Sequence, residues 1–217
     1  MAAHIVVVNP NSTQAVTDGI RDAVVLVPGT ERLDIDYVTL AEGPPGIETD
    51  AHVEAVITPL LRLVKSRESD ADSLVIACFS DPGMERLREA TGKEIYGIGE
   101  CAYRGAAAGG RMFGVISIVA ESVPRHRRHL QRLGLTRQLA GDRPLDLSVV
   151  ELADAGRTLD RLSTIARTLV DVDGAQALVL GCAGMAAYRE TLENEVGCPV
   201  IDPCQAAIRV VLRKAGS

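Results

Sequence analysis

Tryptophan is absent from this chain of 217 residues, and aromatic side chains of all kinds make up only 3% of it. Base-stacking platforms and carbohydrate-binding aromatic shelves therefore have little to be built from. Positive charge is also short. The formal net charge is −6 and the pI about 5.3, which argues against nucleic acid or an anionic membrane as partner, since both need a positive field. No run reaches the roughly 20 apolar residues of a membrane span. The chain goes straight into His4-Ile5-Val6-Val7-Val8 without a signal-peptide pattern, so the expected location is cytoplasmic. Five cysteines, an odd count without C-x-x-C spacing, support neither a disulfide framework nor a zinc knuckle. Free thiols and a small-molecule ligand are what this composition leaves.

What is present is a repeating pattern. With 47% hydrophobic residues, the chain can bury one large core or two small ones joined closely. Short β-rich runs near 4–8, 33–38, 73–78, 95–98, 113–118, 145–150, 177–182 and 199–202 alternate with amphipathic stretches over 13–26, 51–68, 83–91, 101–109, 123–133, 157–171, 185–195 and 204–214. Such alternation is the signature of parallel βα units with helices covering the sheets. Ser73-Leu74-Val75-Ile76-Ala77-Cys78 matches Ala177-Leu178-Val179-Leu180-Gly181-Cys182, and Gly83-Met84 parallels Gly184-Met185. The expected fold is α/β, with two similar subdomains related by a pseudo-twofold. Each is a four-stranded parallel sheet flanked by helices, and the active site lies in the cleft between them. The boundary is expected in the small-residue segment Gly105–Gly110, giving subdomains 1–109 and 110–217, with the C-terminal helix able to pack back on the first.

Cys78 and Cys182 then sit at the carboxyl ends of equivalent strands, where open α/β sheets bind ligands. Asp81-Pro82 reads as a helix start, so the Cys78 thiol is expected just ahead of a helix amino terminus that lowers its pKa. Ala183 and Gly184 offer close backbone approach beside Cys182. A single cysteine of this kind reads more readily as a buried, inert residue; the matched pair reverses that and favours chemistry. Cys101, Cys198 and Cys204 read as core or structural. A cysteine hydrolase needs a histidine base. His4 begins a strand at the far end, and His126 and His129 lie in an Arg-rich helix whose basic face is expected to be solvated or at a subunit contact. His52 alone could approach, and it reads as an ordinary residue of a helix opened by Thr49-Asp50. Metal-ligand spacing is lacking.

Asn9-Pro10-Asn11-Ser12-Thr13, Ala77-Cys78-Phe79-Ser80-Asp81-Pro82-Gly83 and Gly181-Cys182-Ala183-Gly184-Met185, in register over nearly the whole chain, resemble the aspartate/glutamate racemase superfamily and, within it, the hydantoin racemase and allantoin racemase branch. The resemblance implies a racemase of a five-membered cyclic ureide that uses no cofactor. One cysteine would remove the proton from the stereogenic carbon and the other would reprotonate the opposite face. It places Asn11 on a ring amide and Phe79 as an apolar wall. Backbone groups near Ser80, Ala183 and Gly184 would meet ring carbonyls, with Ser117 and Ile118 as further contacts. Hydantoin racemases commonly carry glycine where this chain has Ser80, and threonine-like residues at Ser117-Ile118, which leaves the choice of ring open. The resemblance and the apolar-rich composition also point to a homo-oligomer. Two other readings stand beside it: decarboxylation or cis–trans isomerisation of a small acid on the same fold, and a ligand-binding protein without turnover.

Overall fold

The computed structural model describes residues 2–215. Within these residues eight strands alternate with eight α-helices. The first half runs β1 (Ala3–Asn9), α1 (Gln14–Val25), β2 (Leu33–Thr39), α2 (Asp50–Ser66), β3 (Ser73–Ile76), α3 (Met84–Ala90), β4 (Glu94–Gly97) and α4 (Ile98–Ala106). The second runs β5 (Phe113–Ser117), α5 (Ser122–Leu133), β6 (Leu139–Pro144), α6 (Ala155–Asp171), β7 (Ala177–Leu180), α7 (Arg189–Val196), β8 (Val200–Ile201) and α8 (Pro203–Ala215). All pairings are parallel, and the sheet orders β2-β1-β3-β4 and β6-β5-β7-β8 are the same. The expected two-sheet α/β fold is borne out.

Parallel strands covered on both faces need apolar residues on both, which is why the central strands read as unbroken runs. Along β1, Ile5 and Val7 face one core while Val6 and Val8 face another. In β7, Ala177 and Val179 join the same core as Ile5 and Val7, and Leu178 and Leu180 turn to a third. The core common to both sheets also takes Tyr103 of α4, Leu130 of α5 and Ile208 of α8. α2 covers the outer face of the first sheet and α6 that of the second.

Four local expectations are corrected. The strand expected at 145–150 is Leu139–Pro144. Its half-buried edge position leaves no apolar signal in Leu-Ala-Gly-Asp-Arg-Pro. Leu145, Leu147 and Val149 do alternate inward, but positive φ at Asp146 (54°) breaks the strand, and the segment instead hangs from Ser117 and Ile118 carbonyls. The helix expected over 185–195 begins as a 3-10 turn, Ala183–Tyr188, before α7. Asp81, itself at φ 47°, does not cap α3; Gly83 at φ 66° starts that helix. The Asp81 carboxylate instead crosses to α4, accepting the Gly99 and Glu100 N–H groups at 3.0 and 2.7 Å. That helix therefore starts at Ile98 rather than 101. Gly97 has to be glycine for this, because a Cβ there would lie 2.4 Å from the Asp81 carboxyl carbon.

Candidate active site

Each half delivers its cysteine in the same way. After β3, the Ala77 N–H still bonds the Val8 carbonyl of β1 at 2.8 Å; after β7, the Gly181 N–H bonds the Ile116 carbonyl of β5 at 2.8 Å. The next residue is in each case the cysteine, one step beyond the ladder. Cys78 and Cys182 border one small cavity of about 30 Å³ between the halves, room for about one water. Asn11, Phe79, Ser80, Ile118 and Ala183 line it with them. The other two candidates do not. Ser117 is fully buried behind it, bonded to His126 and Asp142, and Gly184 borders a neighbouring groove. The Gly184 N–H still serves the site by donating to Cys182 Sγ at 3.4 Å.

The thiols are not acidified. Burial pushes Cys78 up to about 12, with the nearby Asp81 carboxyl adding to it, against lowering by the Ser80 N–H and the Arg125 guanidinium. Burial likewise lifts Cys182 to about 11, opposed by the Gly184 N–H. The expectation of a lowered Cys78 pKa is thus corrected: the nearby helix start is capped by glycine, and desolvation outweighs two favourable contacts. Both helices that follow the fourth strand of their sheet are capped by a buried aspartate. Asp202 precedes α8 directly, its carboxylate accepting the Gln205 N–H at 2.8 Å, whereas Asp81 reaches α4 from the loop after Cys78. Burial raises both carboxyls, Asp81 to about 7 and Asp202 to about 6.

The basic run on α5 is the largest departure from expectation. Arg125 and His126 line the cavity, and Arg125, His126 and His129 are 8%, 2% and 7% exposed. Arg125 ties the halves together, donating to Ser80 Oγ (2.9 Å), Asp50 Oδ1 (2.9 Å), the Glu48 carbonyl (3.1 Å) and Ser122 Oγ (3.3 Å). His126 Nδ1 meets Asp142 Oδ2 at 2.9 Å and Ser117 Oγ at 3.2 Å, and its ring packs edge-on to Phe79. One signal was available: Ser122, Arg125, His126, His129 and Leu130 recur with the spacing of a buried helical stripe. His52 is engaged locally, its N–H bonding Thr49 Oγ1 and its Nδ1 accepting the Glu48 N–H. Among the described residues no group of three His, Cys, Asp or Glu side chains is arranged to hold a metal ion.

Comparison with known proteins then fixes the family. The family model for Asp/Glu/Hydantoin racemase matches residues 5–211. The chain belongs to the Asp/Glu/Hydantoin racemase family. Membership makes this racemase an isomerase, and the branch identified from its cysteine motifs is borne out by its relatives. It is 36% identical over 213 residues to hydantoin racemase of Paenarthrobacter aurescens, covering 95% of this chain and 88% of that one. Among solved structures it superposes on allantoin racemase from Klebsiella pneumoniae with a TM-score of 0.92 at 30% identity, covering 99% and 88% of the two chains. Allantoin racemase from Pseudomonas fluorescens gives 0.90 at 26% identity, with 98% and 92% covered.

Proposed function

We propose that the protein racemises a cyclic ureide, a 5-substituted hydantoin or allantoin, by proton transfer between Cys78 and Cys182 without a cofactor. The observation that carries this is the placement of two thiols at equivalent strand ends, bordering one cavity from opposite halves. The thiolate of one cysteine takes the proton from the ring carbon next to the carbonyl. The bonding electrons move onto that carbonyl oxygen, giving a planar enolate. The other cysteine, as thiol, gives its proton to the opposite face. The enantiomer is released with the two sulfurs' protonation exchanged, ready for the reverse direction.

A high thiol pKa suits this chemistry. A desolvated thiolate is a stronger base than one in water, and a carbon acid needs a base near its own strength to transfer a proton readily. The Arg125 guanidinium, which favours ionised Cys78, and the Gly184 N–H at Cys182 offset part of the cost of forming it. The cavity of about 30 Å³ is smaller than a ring, so in this reading its wall, which includes Ile47 and Val149, opens on binding. In this reading the protein works in the cytoplasm as a homo-oligomer.

The test is incubation with single enantiomers of allantoin and of several 5-substituted hydantoins in deuterated water. Loss of optical rotation should accompany deuterium entry at the stereogenic carbon. Binding of a ureide without either change would establish a binding protein instead.

A further inference from the structure

We infer that His126 is a specificity-determining residue, the acceptor that takes a ring N–H of the substrate, with the Asn11 side-chain amide as the matching donor to an adjacent carbonyl. The inference rests on the cyclic-ureide reading and specifies how that ring is recognised.

Both side chains border the cavity, and both have one polar end already spent. Asn11 Oδ1 accepts from Asn9 Nδ2 at 3.0 Å and from the Thr13 N–H at 2.9 Å. A backbone N–H can only donate, so the atom it meets is the oxygen, and the group left over is the Nδ2 donor. On His126 the logic runs the other way. The Ser117 hydroxyl donates to Asp142 Oδ1, so Ser117 Oγ and Asp142 Oδ2 both offer lone pairs to Nδ1. These two contacts select, for the neutral form, the tautomer with the hydrogen on Nδ1 and Nε2 bare as an acceptor. Asp142 and Ser117 are themselves fully buried, and the imidazole is wedged edge-on against Phe79 at 5.0 Å between ring centres, so the tautomer and the orientation are both held.

The other polar groups in the wall do not supply an acceptor of this kind. Arg125 has only donors, and the Ser80 and Ser122 hydroxyls, each already taking an Arg125 N–H, carry a rotatable O–H that can donate as readily as accept, so neither is a fixed acceptor. A cyclic ureide presents alternating N–H and C=O groups around its ring. A fixed donor and a fixed acceptor lining one cavity fit that alternation, whereas a small dicarboxylic acid would bring only acceptors and leave His126 Nε2 facing oxygen lone pairs.

The experiment crosses a change in the protein with a change in the ring. Racemisation of 5-isopropylhydantoin is compared with that of its N1-methyl and N3-methyl derivatives, in the wild type and in His126→Ala. In the wild type one of the two methyl isomers should lose about 100-fold or more in kcat/KM, since a buried acceptor is left unpaired and the methyl group crowds it. In His126→Ala the unmethylated ring should lose about tenfold or more, and the penalty on that one isomer should shrink to less than about tenfold. The methyl group's own effect on ring acidity is common to both proteins and cancels in the comparison. Equal penalties in wild type and variant overturn the assignment of His126. If the variant does not fold, wild-type turnover of both methyl isomers at the parent rate overturns it alone. Absence of turnover with every hydantoin and with allantoin removes the racemase reading, and this inference with it.

Discussion

Alkylation of the two cavity thiols by iodoacetamide measures which influence on them prevails. At pH 7 a thiol of pKa about 12, as at Cys78, is about 1,000-fold less ionised than one at the ordinary 9.0. The rarer thiolate is the more nucleophilic, which returns about 16- to 30-fold of that for a Brønsted coefficient of 0.4–0.5. Cys78 should therefore react roughly 30- to 60-fold more slowly than the same cysteine in the denatured chain. For Cys182, at about 11, the same arithmetic gives roughly tenfold. Restricted entry to so small a cavity would slow both further, but it scales the rate at every pH alike. The decisive quantity is the slope: alkylation of either thiol, followed by peptide mass mapping, should rise about tenfold per pH unit from 7 to beyond 9, without levelling. A plateau with a midpoint at or below 8.5 would refute the reasoning, because the helix start and Arg125 would then outweigh burial. The expected sign carries over to turnover, with kcat/KM climbing on the alkaline side as the reactive thiolate becomes populated.

Cys78→Ser and Cys182→Ser should each lower racemisation by about 10²–10⁴-fold, the usual contribution of a placed acid or base. Each should still allow deuterium exchange into one enantiomer only, read by NMR; unchanged activity in either excludes the two-thiol mechanism. Gly181→Ala would place a Cβ 2.6 Å from the Ile116 carbonyl oxygen and 3.2 Å from Ser117 Cα. Since backbone cannot step aside, it should cost about 1–3 kcal/mol and lower Tm by several degrees in calorimetry, while Gly19→Ala, inside α1 with nothing within 4 Å, should raise it.

The central strands were legible because burial on both faces forces long apolar runs at Ile5–Val8 and Ala177–Leu180, and the cysteines were legible because they follow those runs. Edge strand β6 was not. Half-exposed, it carries Gly141, Asp142 and Arg143, and the nearest apolar alternation, Leu145 to Val149, belongs to a loop. The α5 wall of the cavity was hidden for a related reason. Arg125, His126 and His129 stand where a buried stripe ordinarily has leucine, and a run of cations reads as a solvated face until its partners, Asp50, Glu48, Asp142 and Asp81, arrive from distant segments. Asp81 misled at short range because it lies beside one helix start and serves another. The thiol pKa was not legible for the same reason: a helix end is a local pattern, while desolvation is set by everything packed around the sulfur.

The core shared by the two sheets holds those sheets at a fixed separation. Each cysteine follows the last bond of its own sheet's ladder, so the spacing of the two sheets contributes to the spacing of the two strand ends that carry the thiols. Interiors packed as densely as molecular crystals resist compression, and Tyr103, Phe113 and Leu130 thus act as the spacer of a calliper. On the proposed two-thiol mechanism, a substitution there should change how evenly the two bases reach one carbon, and so shift kcat and KM together for each enantiomer, an equilibrium constant of one holding the two kcat/KM values equal, before it changes whether the protein folds.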